Sequence, residues 1–204
     1  MLIGVVAEAP SDTLAIIGLL KPLLPADIDF TELVKNIRGS DLDSLKTQTL
    51  IRLEVQAEQP DLVILCRDLD GLSWERKKQL NARKFFRKTN RIIKVNNRER
   101  GVNLICIFEL ETLILFDIDC FNNEYEVSLD LLDSPESCVD PKGILKEATS
   151  KKAKRFTESH NGELIPKLRK DLIIRAEFYK KFLYYLEARL LEKGLVVNLI
   201  DQHN

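Results

Sequence analysis

Short apolar runs alternate with helix-like segments along the first 117 residues. The runs Leu2–Ala7, Leu62–Arg67 and Val102–Phe108 are nearly continuous and apolar, which is typical of strands buried on both faces of a parallel sheet. A weaker run at Asp27–Phe30 is compatible with a short strand. The alternation of strands and helices predicts an α/β fold with a doubly wound parallel sheet.

Apolar residues three or four positions apart predict the helices. The first begins at an N-cap formed by Ser11 or Asp12 and buries Leu14, Ile17, Leu20 and Leu24. The second buries Leu45, Leu50, Leu53 and Ala57. The other helices are expected at 73–88, 112–116, 141–154, 163–170 and 171–193, with a short strand at Arg91–Val95 and a polar turn at 97–100. Leu195–Ile200 is interpreted as a final strand or a tail of the core.

The chain divides by pattern into residues 1–120, an α/β core, and residues 121–204, a mainly helical extension. Residues 117–140 are acidic and rich in turn residues, and helical spacing resumes after Pro141. Because no flexible linker separates the two parts, we expect the extension to pack on the core as one structural unit.

The composition and the cysteine spacing limit the functional classes to which the protein can belong. The 31 basic and 32 acidic residues nearly cancel, so net charge alone does not predict nucleic-acid binding. No cysteine pair has zinc-site spacing, and Cys66 and Cys106 lie in strand-like runs as core residues. A secretory signal is absent, and no apolar run approaches the roughly 18 residues of a membrane span. We therefore expect a cytoplasmic protein with no membrane segment.

Three pairs of carboxylates fall where predicted strands end: Glu8 with Asp12, Asp68 with Asp70, and Glu109 with Glu111. On a strand, Asp68 and Asp70 would share a face and repel each other, and the sequence offers no obvious Lys or Arg to neutralise both. Each pair alone is compatible with a helix cap or a solvated loop. Together they predict a divalent cation site, because a parallel sheet aligns its carboxyl ends at one edge and Mg²⁺ prefers oxygen ligands.

These residues resemble the Toprim superfamily, which includes topoisomerases, primases and nucleases of the OLD type. The shared pattern is Glu8 after the first strand, an acidic residue at Asp12, and Asp68-Leu69-Asp70 after a later strand. The stretch FELETLILFD at 108–117 and the later Pro141-Lys142-x-x-Leu145 are similar to small stand-alone Toprim-like proteins of bacteria. Many of these are encoded beside ABC-type ATPases, and some are linked to phage defence.

The resemblance implies roles for individual residues. Glu8 matches the glutamate that serves as metal ligand or general acid/base, and Asp12, Asp68 and Asp70 match acidic metal-site positions. Glu109 and Glu111 match acidic positions of the narrower group that would help to hold a second ion. The implied cofactor is Mg²⁺ or Mn²⁺. Ala9 departs from the pattern, because glycine is common at this position. The turn after Glu8 is therefore expected to differ, which affects how closely a phosphate can approach the backbone there.

Two basic segments are compatible either with a solvated face or with nucleic-acid phosphates. The first carries Arg76, Lys77, Lys78, Arg83, Lys84, Arg87 and Lys88. The second carries Lys142, Lys146, Lys151, Lys152, Lys154 and Arg155, and Lys142 is a candidate for stabilising charge on a phosphoryl group. Trp74, Phe85 and Phe86 are expected in the core, and His160 and His203 in solvent.

Two hypotheses follow. The first is a metal-dependent nuclease that cleaves phosphodiesters of DNA or RNA, with catalytic Glu8 and Lys142, acting in phage defence or repair. The second is a non-catalytic Toprim-like partner of an ABC-type ATPase in such a system. A phosphate-binding loop GxxxxGK[ST] is missing from the sequence, so we do not expect the chain itself to hydrolyse nucleotides.

Overall fold

A four-stranded parallel sheet organises the chain. The computed structural model describes residues 1–35, 41–72, 74–94 and 99–201. The strands are β1 (Leu2–Val6), β2 (Asp29–Glu32), β3 (Leu62–Asp68) and β4 (Gly101–Cys106), in the order β2-β1-β3-β4. All three pairings are parallel, which confirms the predicted α/β class and gives a Rossmann-like sheet flanked by helices.

The chain moves to one side from β1 to β2 and then back across β1 to β3 and β4. Right-handed crossovers therefore put the first helix on the face opposite to the next two. The helices are α1 (Pro10–Leu20), α2 (Leu45–Glu58), α3 (Arg76–Ile92), α4 (Thr112–Phe116), α5 (Ile118–Tyr125), α6 (Pro141–Ala148), α7 (Asn161–Leu164), α8 (Lys170–Ile173) and α9 (Glu177–Glu192).

The core is one contiguous apolar cluster. It contains the residues of β3 from Leu62 to Cys66, all at most 2% exposed, together with Phe182 and Leu186 of α9. Helix α5 crosses the position of the expected boundary at residue 120. The division into a core and an extension remains a prediction based on pattern.

Three expected details of the first two helices are wrong. The N-cap of α1 is Ala9 rather than Ser11 or Asp12, because Pro10 occupies the first helical position, where its missing N–H costs nothing. Leu14 is 52% exposed. In α2 the expected leucine face is also exposed, with Leu45 at 75% and Leu53 at 50%. The buried residues of this helix are Thr47, Gln48, Ile51 and Val55.

Other boundaries shift as well. Helix α3 continues through Arg91 and Ile92, so the strand expected at Arg91–Val95 is wrong for these residues, while positions 95 and 97–98 lie outside the described residues. Residues 195–200 form no strand, but Leu199 is fully buried, as expected of a core tail. The helix expected at 141–154 ends at Ala148.

Candidate functional site

The carboxyl ends of three adjacent strands form one edge of the sheet. Val6 of β1 is paired with Leu65 of β3, and Asp68 of β3 is paired with Cys106 of β4. Glu8, Asp68 and Glu109 therefore leave the sheet at this edge, as the sequence predicted. The Glu8 carboxylate lies directly over the end of β3, where its Oε1 accepts a hydrogen bond of 3.2 Å from the Asp68 backbone N–H.

Burial makes ionisation of the two central carboxyls unfavourable. Burial raises the pKa of Glu8 to about 7, and Asp70 and Asp12 add to this rise, although the Asp68 N–H and Arg67 oppose it. Burial also raises the pKa of Asp68 well above its usual range, and the negative charges of Glu8, Asp12 and the carboxylates after β4 act in the same direction. A cation bound beside these carboxyls would lower both pKa values, because it stabilises their charged form.

A buried asparagine joins two more carboxylates to the cluster. Asn161 of α7 is fully buried, and its Nδ2 donates hydrogen bonds of 3.1 Å to Asp12 Oδ1 and 3.0 Å to Glu111 Oε1. Burial nevertheless raises the pKa of both Asp12 and Glu111. Sequence reasoning missed Asn161, because nothing in its local segment indicates a contact with α1, which lies 149 positions away.

Lys142 reaches the same edge from α6. Its Nζ lies 3.0 Å from Glu109 Oε1 and 3.7 Å from a carboxylate oxygen of Glu158. Burial alone would lower the pKa of Lys142, but the carboxylates of Glu111, Glu109 and Glu158 outweigh it and raise this pKa. A cation therefore does partly neutralise the cluster, next to Glu109 rather than between Asp68 and Asp70.

Asp70 lies apart from this arrangement. Strand β3 ends at Asp68, so the alternation that would align the two aspartates does not extend to Asp70, which is exposed. Asp70 has a φ of 52°, and Phe108, whose carbonyl accepts the Asp70 N–H at 3.0 Å, has a φ of 56°. Two such non-glycine residues in contact are a local strain of the kind found at functional sites.

The turn after Glu8 does not require glycine. Ala9 has a φ of −139° and a ψ of 157°, an extended conformation that alanine adopts without strain. The departure from the Toprim-like pattern at this position therefore has no conformational cost.

Two buried oxygens near the cluster are without hydrogen-bond partners, Glu109 Oε2 and Asn161 Oδ1. Together with Glu8, Asp12, Asp68 and Glu111 they are hard oxygen donors of the type that Mg²⁺ and Mn²⁺ prefer. Among the residues that the structure describes, no three His, Cys, Asp or Glu side chains are already grouped as metal ligands. The donor chemistry fits a divalent cation, and side chains would have to turn toward it.

The remaining candidates lie outside the cluster. The seven cations of the first basic segment lie on α3, where they are exposed or half-buried, and within the described ranges none of them forms an ion pair. Phe85 and Phe86 are buried as expected, whereas Trp74 is 71% exposed, so its expected core position is wrong. His160 is not simply solvated, because its Nδ1 lies 2.8 Å from the Tyr125 hydroxyl. His203 lies outside the described residues.

Asp117, the residue between α4 and α5, has a structural role. It is 1% exposed and accepts hydrogen bonds from the backbone N–H of Arg169 and, at 2.9 and 2.6 Å, from its guanidinium. This pair anchors α8 to the junction of α4 and α5.

Comparison with protein families gives one match. The family model described as "Domain of unknown function (DUF4276)" matches residues 7–171. The chain belongs to this family. No curated protein and no solved structure matches it. The matched range of this DUF4276 chain contains the whole cluster from Glu8 to Asn161, while α9 follows it.

The helices of the DUF4276 chain were also compared with the requirements of a membrane span. Within the described residues, none is both long and apolar enough to cross a bilayer.

Proposed function

We propose that this DUF4276 protein is a Toprim-like nuclease that hydrolyses nucleic-acid phosphodiesters with Mg²⁺ or Mn²⁺, in phage defence or repair. One observation carries the proposal: Glu8, Asp12, Asp68 and Glu111 converge at one sheet edge, and burial raises the pKa of all four. Anionic side chains that are held in an unfavourable environment are a common mark of sites that bind a cation.

Asp68, Asp12 and Glu111 are the residues that would hold the ion, with Glu8 beside them and Glu109 and Asp70 available at the rim. A bound Mg²⁺ would supply charge stabilisation and a more acidic water. Glu8, with a pKa of about 7, is suited to accept the proton of the attacking water near neutral pH. The water oxygen then forms a bond to phosphorus, the bond to the leaving oxygen breaks, and the leaving oxygen takes a proton from solvent.

Lys142 contributes positive charge to the cluster, next to Glu109. Its Nζ contacts Glu109 at 3.0 Å, so it is held at the site rather than free in solvent. Charge that develops on the phosphoryl oxygens would be stabilised by this ammonium group. This is the role that the sequence suggested for Lys142.

The test combines cleavage with metal binding. With Mn²⁺ or Mg²⁺ at pH 8, the protein should cleave plasmid DNA or labelled single-stranded DNA or RNA, and EDTA should stop it. The substitution Asp68→Asn should lower the cleavage rate by at least 100-fold, since metal-site carboxylates are used in the transition state. Calorimetry with Mn²⁺ should show a matching loss of binding.

The matched control is Asp27→Asn. Asp27 is exposed and precedes β2 at the opposite edge of the sheet, so this variant should cleave and bind Mn²⁺ like the parent protein. Undiminished cleavage by Asp68→Asn, or cleavage that persists in EDTA, would contradict the proposal.

A second candidate is the non-catalytic partner of an ABC-type ATPase. Leu45, Leu50 and Leu53 of α2 are 75%, 37% and 50% exposed, and a protein partner would cover such an apolar surface. Lys142 and Asn161 already satisfy several carboxylate oxygens of the cluster. Calorimetry that detects no Mn²⁺ binding to the folded protein at pH 8 would favour this candidate.

A further inference from the structure

A cleft separate from the carboxylate cluster runs beside β4, between α3 and α9. Its volume is about 880 Å³, which is within the range of ligand-binding sites in proteins. Gln79 and Arg83 of α3 form one wall, and Lys181 and Tyr185 of α9 form the other. The floor is β4 together with Ile107, the residue that follows it.

The two walls present cations that have no anionic partner. Neither Arg83 nor Lys181 forms an ion pair with any residue of the described ranges. Arg83 belongs to the row of cations on α3, a helix of 17 residues that is about 25 Å long. The basic surface therefore extends well beyond the cleft, over a length that suits a chain of several phosphates.

The cleft also offers an aromatic surface. Tyr185 is 50% exposed, and Phe178 and Phe182 line the same wall with 8% and 2% exposure. A half-exposed aromatic ring between cations is the usual platform for an unpaired base.

The floor of the cleft also presents backbone N–H and C=O groups that are not paired with another strand. β4 is the last strand of the sheet, and its ladder to β3 uses alternate residues, with the carbonyls of Arg100 and Cys106 accepting from β3. The peptide groups of Gly101, Asn103 and Ile105 therefore face the open edge, where the described residues supply no backbone partner. Such donors and acceptors are available to the edges of bases.

The acidic residues of the cleft have structural explanations. Burial raises the pKa of Glu136, and the first backbone N–H groups of α9, those of Glu177 and Phe178, oppose this rise. Glu177 lies in the first turn of that helix, where a negative charge is favoured by the helix dipole. The unpaired cations have no such explanation. An acidic peptide would use the open edge of β4, but it would leave most of the cations on α3 without a partner.

We propose that the cleft between α3 and α9 binds single-stranded nucleic acid, with phosphates on Arg83 and Lys181 and a base stacked on Tyr185. This proposal deepens the proposed nuclease function and rests on it for its biological meaning, but the binding itself requires no metal ion.

The test measures fluorescence anisotropy of a labelled 12-nucleotide oligothymidylate in EDTA, with Asp68→Asn as the protein background. Tyr185→Leu should weaken binding about tenfold or more, as expected for the loss of one stacked base. Arg83→Gln and Lys181→Gln should each weaken binding, and each should reduce the slope of log Kd against log salt by about 0.7. A duplex of the same length should bind at least tenfold more weakly.

Matched controls lie at the neighbouring positions of α9. Lys180→Gln alters an exposed residue that does not line the cleft, so it should bind like the background protein. The Tyr184 ring contacts the Tyr185 ring edge-on but does not line the cleft, so Tyr184→Leu should weaken binding less than Tyr185→Leu does. The proposal is overturned if these controls lose as much affinity as the cleft variants, or if the duplex binds equally well. Competition by polyglutamate at matched charge would equally overturn it, since it would indicate a general polyanion surface or a peptide site.

The two proposals fail in different ways. Binding that depends on Arg83, Lys181 and Tyr185 without any metal-dependent cleavage by the parent protein would retain the cleft site and reject the nuclease. Cleavage that depends on Asp68, with binding unaffected by all three cleft substitutions, would reject the cleft site and retain the nuclease.

Discussion

At the scale of single residues, the cluster opposes folding. Glu8 and Asp68 are partly buried, Asp12 and Glu111 share one asparagine, and burial raises the pKa of each carboxyl. Carboxylates without a cation in such surroundings reduce the free energy of unfolding. The fold tolerates this because Lys142 and Asn161 compensate part of the charge.

Glu8 gives a pH dependence with a defined sign. Its pKa is about 7 in the folded protein and about 4.5 when unfolded, so the folded state binds more protons between these values. The contribution of Glu8 is therefore most favourable below pH 4.5 and is lost as the pH rises through about 7. Between pH 5.5 and 8 the free energy of unfolding should fall by about 2 kcal/mol through Glu8 alone, as measured by urea denaturation in EDTA.

Two variants test whether Glu8 causes this pH dependence of the free energy of unfolding. Glu8→Gln cannot ionise, so it should lose this part of the pH dependence, while the raised pKa of Asp12, Asp68 and Glu111 leaves a residual fall of the same sign. Glu58→Gln, at an exposed position at the end of α2, should behave like the parent protein. Identical pH profiles for Glu8→Gln and the parent would show that Glu8 is not the group responsible.

At the scale of elements, sequence patterns predicted β1 and β3 well because these two strands are nearly continuous apolar runs. β1 and β3 were predicted to within one residue, and α4 was predicted at 112–116 as observed. The buried face of α2 was not predictable from apolar spacing, because Gln48 lies inside it and satisfies its Nε2 with a hydrogen bond of 2.9 Å to Thr89. Polar residues that find a buried partner on another element do not show this in the local sequence.

In the carboxylate cluster too, some neighbours follow from the local sequence and others depend on contacts between distant elements. Glu8, Asp68 and Glu109 were predictable as neighbours because strand order and polarity alone bring them to one edge. The contacts of Asn161 with the carboxylates were not predictable, and neither were those of Lys142 with Glu109 and Glu158. These contacts depend on how α6 and α7 pack on the sheet. Sequence pattern determines which strand ends carry charge, but not which distant side chains complete the site.

Helix α7 and the turn that follows it pack on α1, and Gly18 of α1 allows the close approach of that turn. A Cβ added to Gly18 would lie 2.3 Å from Cγ of Pro166, whose ring is not free to move aside. Gly18→Ala should push the segment after α7 away from α1 and lower the free energy of unfolding by about 1–3 kcal/mol. Because Asn161 would move with this segment, Mn²⁺ affinity should also change.

Urea denaturation and Mn²⁺ calorimetry test this expectation. Lys21→Ala, an exposed position just after α1, is the control and should change neither quantity. A Gly18→Ala protein with the stability of the parent would show that this close packing has no energetic importance.

At the scale of the whole molecule, the segment after residue 120 completes the core as well as the site. Phe121, Tyr179, Phe182 and Leu186 are at most 2% exposed and belong to the same apolar cluster as β1 and β3. The ion pair between buried Asp117 and exposed Arg169 connects α8 to the residues that follow β4. The two parts of the chain therefore share one core, and neither buries its apolar surface without the other.

A shared core predicts that both parts unfold together. The chain offers separate probes, since its single tryptophan, Trp74, lies before residue 120 and all four tyrosines follow it. Urea transitions followed by tryptophan emission, by near-ultraviolet circular dichroism of the tyrosines and by far-ultraviolet circular dichroism should have the same midpoint and the same slope. A lower midpoint for the tyrosine signal would mean that the helical segment detaches first, and that Asn161 and Lys142 leave the cluster before the sheet unfolds. In that case the carboxylates at the sheet edge would lose their compensating groups, and added Mn²⁺ should shift the tyrosine midpoint more than the tryptophan midpoint.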